Sequence, residues 1–129
     1  RFAKLLFATA QGMIKRVDGK EFQVAKRTIV ATKLQEDDRL VSVKVVNETQ
    51  NLVLQTRNGY FLRFPAADVP EKKKAAVGVR GIRLKKKDEL EHTYLFEEGT
   101  ETKVTYGEKT VTLNRLKAAK RDGVGNKTR

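Results

Sequence analysis

Leu54-Gln55-Thr56-Arg57-Asn58-Gly59-Tyr60-Phe61-Leu62-Arg63 reads as two alternating apolar/polar arms closed over Asn58-Gly59. That dipeptide between alternating arms is the strongest local signal for a β-hairpin, because the turn needs positive φ and glycine supplies it without steric cost. The pattern recurs on both sides. Phe7-Ala8-Thr9-Ala10-Gln11-Gly12-Met13-Ile14-Lys15-Arg16 precedes it, with Gly12 47 residues before Gly59. Val104-Thr105-Tyr106-Gly107-Glu108-Lys109-Thr110-Val111-Thr112-Leu113 follows it, with Gly107 48 residues after Gly59.

A second unit repeats behind each hairpin. Ile29 to Leu34 with Glu36-Asp37-Asp38-Arg39-Leu40 is matched by Val79 to Leu84 with Lys86-Lys87-Asp88-Glu89-Leu90, at an offset of 50 residues. Val124-Gly125 matches Val77-Gly78 at an offset of 47 residues. The chain therefore reads as one domain, 1–129, of two full repeats (4–50 and 51–100) and the start of a third (101–129). Predicted strands are 4–9, 13–17, 28–34, 40–46, 51–56, 60–64, 78–84, 91–96, 102–106 and 110–114, with one short helical turn between Asn114 and Lys120. Pro65 and Pro70 mark a loop, since neither can donate a ladder hydrogen bond. Units of four strands every 40–50 residues are the mark of propeller-like blades, so the fold class is all-β, with about two and a half blades of a longer array. Such a piece would carry open sheet edges available for pairing with another copy. Arg1 in place of a methionine adds to the expectation that the chain belongs to something longer.

Charge points to the partner. Lys and Arg number 28 against 16 acids, a net of +12 with a sequence pI of about 10.1. An excess of this size selects a polyanion. The segments 15–33, 63–87 and 115–129 hold 21 bases and 5 acids, while the rest of the chain holds 7 bases and 11 acids. The bases that mark these segments are Lys15, Arg16, Lys20, Lys26, Arg27 and Lys33; Arg63, Lys72, Lys73, Lys74, Arg80, Arg83, Lys85, Lys86 and Lys87; and Lys120, Arg121, Lys127 and Arg129. Blade-equivalent segments emerge on one rim, so their charges form a stripe suited to the phosphates of a curved duplex. Arg80 and Arg83 alternate beside Gly78 and Gly81, where a phosphate backbone could approach closely. Two other readings compete: a propeller-like interaction module whose basic rim takes an acidic protein, and a small β-barrel that binds RNA as ribosomal proteins do. The aromatics Phe7, Tyr60, Phe61 and Phe64 lie in hairpin strands rather than among the bases, which favours duplex phosphate contact over base stacking.

The arrangement Phe7-Ala8-Thr9-x-x-Gly12-x-x-Lys15-Arg16, with Gly59-Tyr60-x-Leu62-Arg63-Phe64-Pro65 and Gly78-Val79-Arg80-Gly81-Ile82-Arg83-Leu84, resembles blades of the C-terminal domain of gyrase and topoisomerase IV A subunits. The resemblance implies a β-pinwheel, a propeller-like array whose blades exchange strands and whose basic rim wraps duplex DNA and presents it for strand passage. It further implies, as partners, an ATPase B subunit together with the rest of a topoisomerase A subunit, with ATP and Mg bound elsewhere in that enzyme, in the bacterial cytoplasm at the nucleoid. Gyrases carry a box of the form Gln-Arg-Arg-Gly-Gly-Lys-Gly in this domain. Here Ala119-Lys120-Arg121-Asp122-Gly123-Val124-Gly125 stands at a compatible position; Lys120, Arg121, Gly123 and Gly125 fit, and Ala119, Asp122 and Val124 do not. Supercoiling and decatenation both stay open for the parent enzyme.

Catalytic chemistry is not expected in this chain. With no cysteine a thiolate site cannot form, and the lone His92, next to Glu89 and Glu91 in sequence, reads as a surface or strand residue rather than as a member of a Ser/His/Asp set. Glu36-Asp37-Asp38 and Asp88-Glu89 recur at equivalent places after a strand and read as solvated turn acids. Tyr60, Tyr94 and Tyr106 fall in predicted strands and read as packing residues. No apolar run approaches the roughly 20 residues of a membrane helix.

Overall fold

The computed structural model describes residues 3–22 and 33–128. Ten strands alternate with three short 3-10 turns: β1 (Lys4–Thr9), β2 (Met13–Asp18), β3 (Leu40–Val46), β4 (Gln50–Thr56), β5 (Tyr60–Pro65), β6 (Val79–Arg80), β7 (Leu90–Glu97), β8 (Lys103–Tyr106), β9 (Lys109–Thr112) and β10 (Asn126–Lys127). They form two four-stranded antiparallel sheets and one isolated hairpin. The first sheet has the order β3-β1-β2-β6 and the second β10-β5-β4-β7. Each sheet thus ends on a short strand donated by the next repeat: β6 pairs with β2 through Met13 and Ile14, and β10 with β5 through Tyr60 and Phe61. This is the strand exchange of a pinwheel, with sheets that remain open.

The hairpin glycines behave as the sequence requires. Gly12 and Gly59 take φ of +85° and +93° and donate to the carbonyls of Thr9 and Thr56. The same two threonines accept, through Oγ1, from the amides of Met13 and Tyr60, closing both turns identically. Alternation along β1, β2, β4 and β5 then sends one set of side chains into the space between the sheets. Leu6, Ala8, Ile14 and Val46 meet Leu52, Leu54, Leu62, Phe64 and Leu90 there in one buried cluster. The opposite face of the second sheet buries Val53, Phe61 and Phe96 against Val111 and Leu113 of the third hairpin. Burial of a leucine-sized side chain contributes about 1.5–3 kcal/mol, so this stacking, more than the hairpins, stabilises the array.

Two expectations are corrected, one falls mostly outside the described residues, and one strand is added. The predicted strand 78–84 shrinks to Val79–Arg80, because Gly81 and Ile82 leave the ladder to meet Gly12 and, by a single parallel bridge, Gly123. Strand 28–34 falls mostly outside the described residues, and Lys33 and Leu34 belong to no strand. The helical turn expected between Asn114 and Lys120 is a 3-10 turn over Leu113–Arg115. β10 was not expected from the sequence, since two residues give no periodicity.

Crossing from one repeat to the next depends on close backbone approach. Gly78 (φ +103°) and Gly125 (φ +83°) lie at equivalent places, and a Cβ there would stand 2.5 Å from the Ile14 carbonyl oxygen and 2.6 Å from that of Phe61. Gly78→Ala should lose about 2 kcal/mol or more in urea unfolding, combining positive-φ strain with a backbone clash. Gly99→Ala should lose less, because its φ is also positive but nothing lies within 4 Å of the new Cβ.

Candidate nucleic-acid interface

The basic segments are built onto the sheets by one device used twice. On β2, Arg16 donates its amide to the Pro70 carbonyl and accepts from Lys72 N, making a parallel bridge with Glu71. On β5, Arg63 accepts from Ala119 N and bridges Ala118 in the same sense. Residues 72–78 and 119–125 are therefore structural equivalents. Lys72-Lys73-Lys74 occupies in one repeat the place that Ala119-Lys120-Arg121 occupies in the next.

The side chains of Arg16 and Arg63 hold that device together from inside. Arg16 Nε donates to the Val69 carbonyl at 2.6 Å, and Nη1 reaches Glu48 at 3.1 Å. Arg63 donates from Nη1 to the carbonyls of Asn114 and Leu116, both at 3.0 Å, from Nε to Asn51, and from Nη2 to Glu98. Both residues are 8% exposed. Lys15 is 1% exposed and lies near the Phe7 ring, with Nζ on the carbonyls of Lys73, Lys74 and Ala76. Burial pushes its pKa below the usual lysine value. These three residues were expected on the DNA-facing rim; the structure turns them inward, where carbonyl acceptors offset the cost of burying their charge. They position the basic segments rather than extend them.

Other candidates divide into tied and free. Lys74 donates its amide to Glu21 Oε1 at 2.9 Å and Nζ to the Glu21 carbonyl. Arg80 engages both carboxylate oxygens of Asp122, and Arg83 Nη2 lies 3.6 Å from the same group. Arg121 Nη1 donates to the Arg80 carbonyl at 2.8 Å. The Arg80 guanidinium holds the Asp122 carboxyl below the usual carboxylate range, so this pairing is complete at neutral pH and is lost only as pH falls through that depressed value. Lys20, Lys33, Lys72, Lys73, Lys85, Lys86, Lys87, Lys120 and Lys127 are exposed. Lys26, Arg27 and Arg129 lie outside the described residues. Of the box positions, Gly125 needs its positive φ and Gly123 packs near Leu62, giving both a structural task. Lys117 and Arg115, not singled out from the sequence, are exposed in the same segment as Lys120. Their place after a repeated hairpin was the available signal.

The aromatics are enclosed: Phe7, Phe61 and Phe64 are buried, and Tyr60 lies half-buried with Lys85 Nζ 6.0 Å from its ring centroid. Asp38 and Asp88 each cap a hairpin turn, accepting from the amides of Gln11 and Asn58. Among the described residues no group of three potential metal ligands gathers, and no helix is long and apolar enough to cross a membrane.

Strand-exchanged sheets with basic inter-blade segments define a class of propeller-like domain. The family model for the DNA gyrase C-terminal domain, a beta-propeller, matches residues 3–47 and 50–96, and the chain belongs to that family. It is 37% identical over 98 residues to the DNA gyrase A subunit of Lawsonia intracellularis, covering 75% of this chain and 12% of the relative. It is 32% identical over 124 residues to the DNA gyrase A subunit of Haloquadratum walsbyi, covering 91% of this chain and 14% of the relative. The crystal structure of the C-terminal domain of DNA topoisomerase IV superposes with a TM-score of 0.91 at 27% identity, over 98% of this chain and 41% of that one. The chain thus corresponds to a small part of the gyrase relatives it matches.

Arg63→Met should cost about 2–4 kcal/mol in urea unfolding, because two backbone carbonyls lose their donor inside the protein. Lys72→Met should stay within about 0.5 kcal/mol, as an exposed substitution does.

Proposed function

We propose that this domain binds duplex DNA without sequence preference and bends it along the inter-blade segments, as an accessory part of a type IIA topoisomerase that presents DNA for strand passage. The observation that carries this reading is the equivalence of residues 72–78 and 119–125: the same parallel attachment sets a basic cluster with exposed lysines at the same edge of successive blades. A bent duplex offers phosphates to such repeated clusters. Bending costs on the order of 1–6 kcal/mol per 20–30 base pairs, and a contact at each blade offsets it. Release of counterions from each neutralised phosphate supplies that contact energy.

Enclosure of the aromatic rings favours this reading over single-strand stacking, and Lys clusters free of fixed geometry favour phosphates over a shaped acidic protein surface. Strand cleavage, ATP and Mg would belong to an ATPase B subunit together with the rest of the parent chain, in the compartment that holds the chromosome. Free sheet edges at β3 and β10 would receive neighbouring elements or a second copy.

Titrating salt against duplex affinity should give a steep linear fall of log K with log salt. Lys73→Ala and Lys120→Ala should each flatten the slope by about 0.9. Ligating nicked circles in the presence of the domain should shift linking number. A flat salt response, or no shift at saturating protein, contradicts the reading.

A further inference from the structure

In residues 115–129 six bases are accompanied by a single acid, Asp122. Its carboxylate sits among the bases. Arg80 grips both oxygens through Nε and Nη2, and Arg83 approaches one of them at 3.6 Å. A guanidinium fork closed on two oxygens is the geometry with which arginine takes a phosphate. The site is open to solvent: the Arg80, Arg83 and Asp122 side chains are 50%, 58% and 29% exposed.

The carboxylate is not needed to hold the segment. Asp122 N donates to the Gly81 carbonyl and Arg83 N to that of Gly123, both at 2.8 Å, and Ile82 bridges Gly123 in parallel. Arg121 adds a bond from its guanidinium to the Arg80 carbonyl. These bonds survive loss of the side chain. Asp122 has φ of +71°, a conformation that aspartate tolerates and glycine adopts freely. Asp122 is thus a carboxylate in an arginine fork that the backbone attachment of its segment does not require.

We propose that Arg80 and Arg83 form a phosphate-binding subsite that the chain's own Asp122 carboxylate fills as a placeholder, and that a DNA phosphodiester displaces it. This rests on the duplex-binding reading above. Exposed ion pairs are weak and salt-screened, so exchange of the carboxylate for a phosphate that also releases a counterion is favourable. The placeholder offsets one positive charge of this part of the rim until DNA, seated on the exposed lysines, brings a phosphate within reach. It sets how tightly the duplex is held, and at what salt it lets go.

The test measures duplex affinity against salt for the parent chain, Asp122→Asn and Asp122→Gly. Both variants should bind about fivefold to tenfold tighter at 0.1 M salt, because no carboxylate then has to be displaced from the arginines. Arg80→Ala should cost more affinity in the Asp122→Asn background than in the parent. Unchanged or weaker binding in both variants overturns the proposal and makes Asp122 a structural latch. If the parent chain and both variants fail to bind duplex at all, the duplex-binding reading fails instead. Inorganic phosphate then decides the subsite: a saturable shift of the Arg80 Nε resonance in Asp122→Asn, weaker in the parent, supports it. Equal shifts or none overturn it.

Discussion

One arginine on the return strand of each of the first two hairpins fixes the segment that docks against it. Arg16 and Arg63 point inward and donate to carbonyls of the segment that follows the next repeat's hairpin, Val69 after β5 and Asn114 and Leu116 after β9. A buried guanidinium without such acceptors would be costly, so the following chain is held where it can satisfy the charge. That constraint brings Pro70–Lys72 and Ala118–Ala119 alongside the strand and delivers Gly78 and Gly125 to the crossing points. The donated strands β6 and β10 then close each sheet. The exposed lysines are thus presented by the arginines that are not exposed.

Charge in this protein has two roles that composition alone merges. The buried set, Lys15, Arg16 and Arg63, is neutralised by fixed carbonyls and carboxylates and shapes the loops. The exposed set, among them Lys72, Lys86 and Lys120, carries the positive field of the surface. Lys15 illustrates the difference. Its counterpart in the second repeat is Leu62, buried between the sheets. In the first repeat the same place holds an ammonium covered by the basic segment 73–76, so a lysine substitutes for a packing residue by gathering carbonyls.

Hairpins, the repeat and the all-β class were legible because they depend on local chemistry: alternation, and a glycine with positive φ at Gly12, Gly59 and Gly107. The inter-blade crossing was only half legible. Val-Gly recurs at 77–78 and 124–125, but the two-residue strands behind it form through pairing with a distant hairpin and leave no periodic trace. For the candidate site, the sequence located the segments and misjudged individual residues. Lys15-Arg16 and Arg63 look like any basic pair at a strand end, and their inward orientation follows from strand parity and from acceptors more than 30 residues away in the chain. Asp122 read as a departure from a motif; only its pairing with Arg80 shows what it touches.

The most direct test of the account is lysine-resolved chemical protection, acetylating the domain with and without saturating duplex and comparing each amine. Protection of Lys72, Lys73, Lys86 and Lys120, with Lys103 and Lys109 of the third hairpin unaffected, is the predicted pattern. Uniform protection of all exposed lysines, or protection centred on the third hairpin, would contradict a rim built from the inter-blade segments.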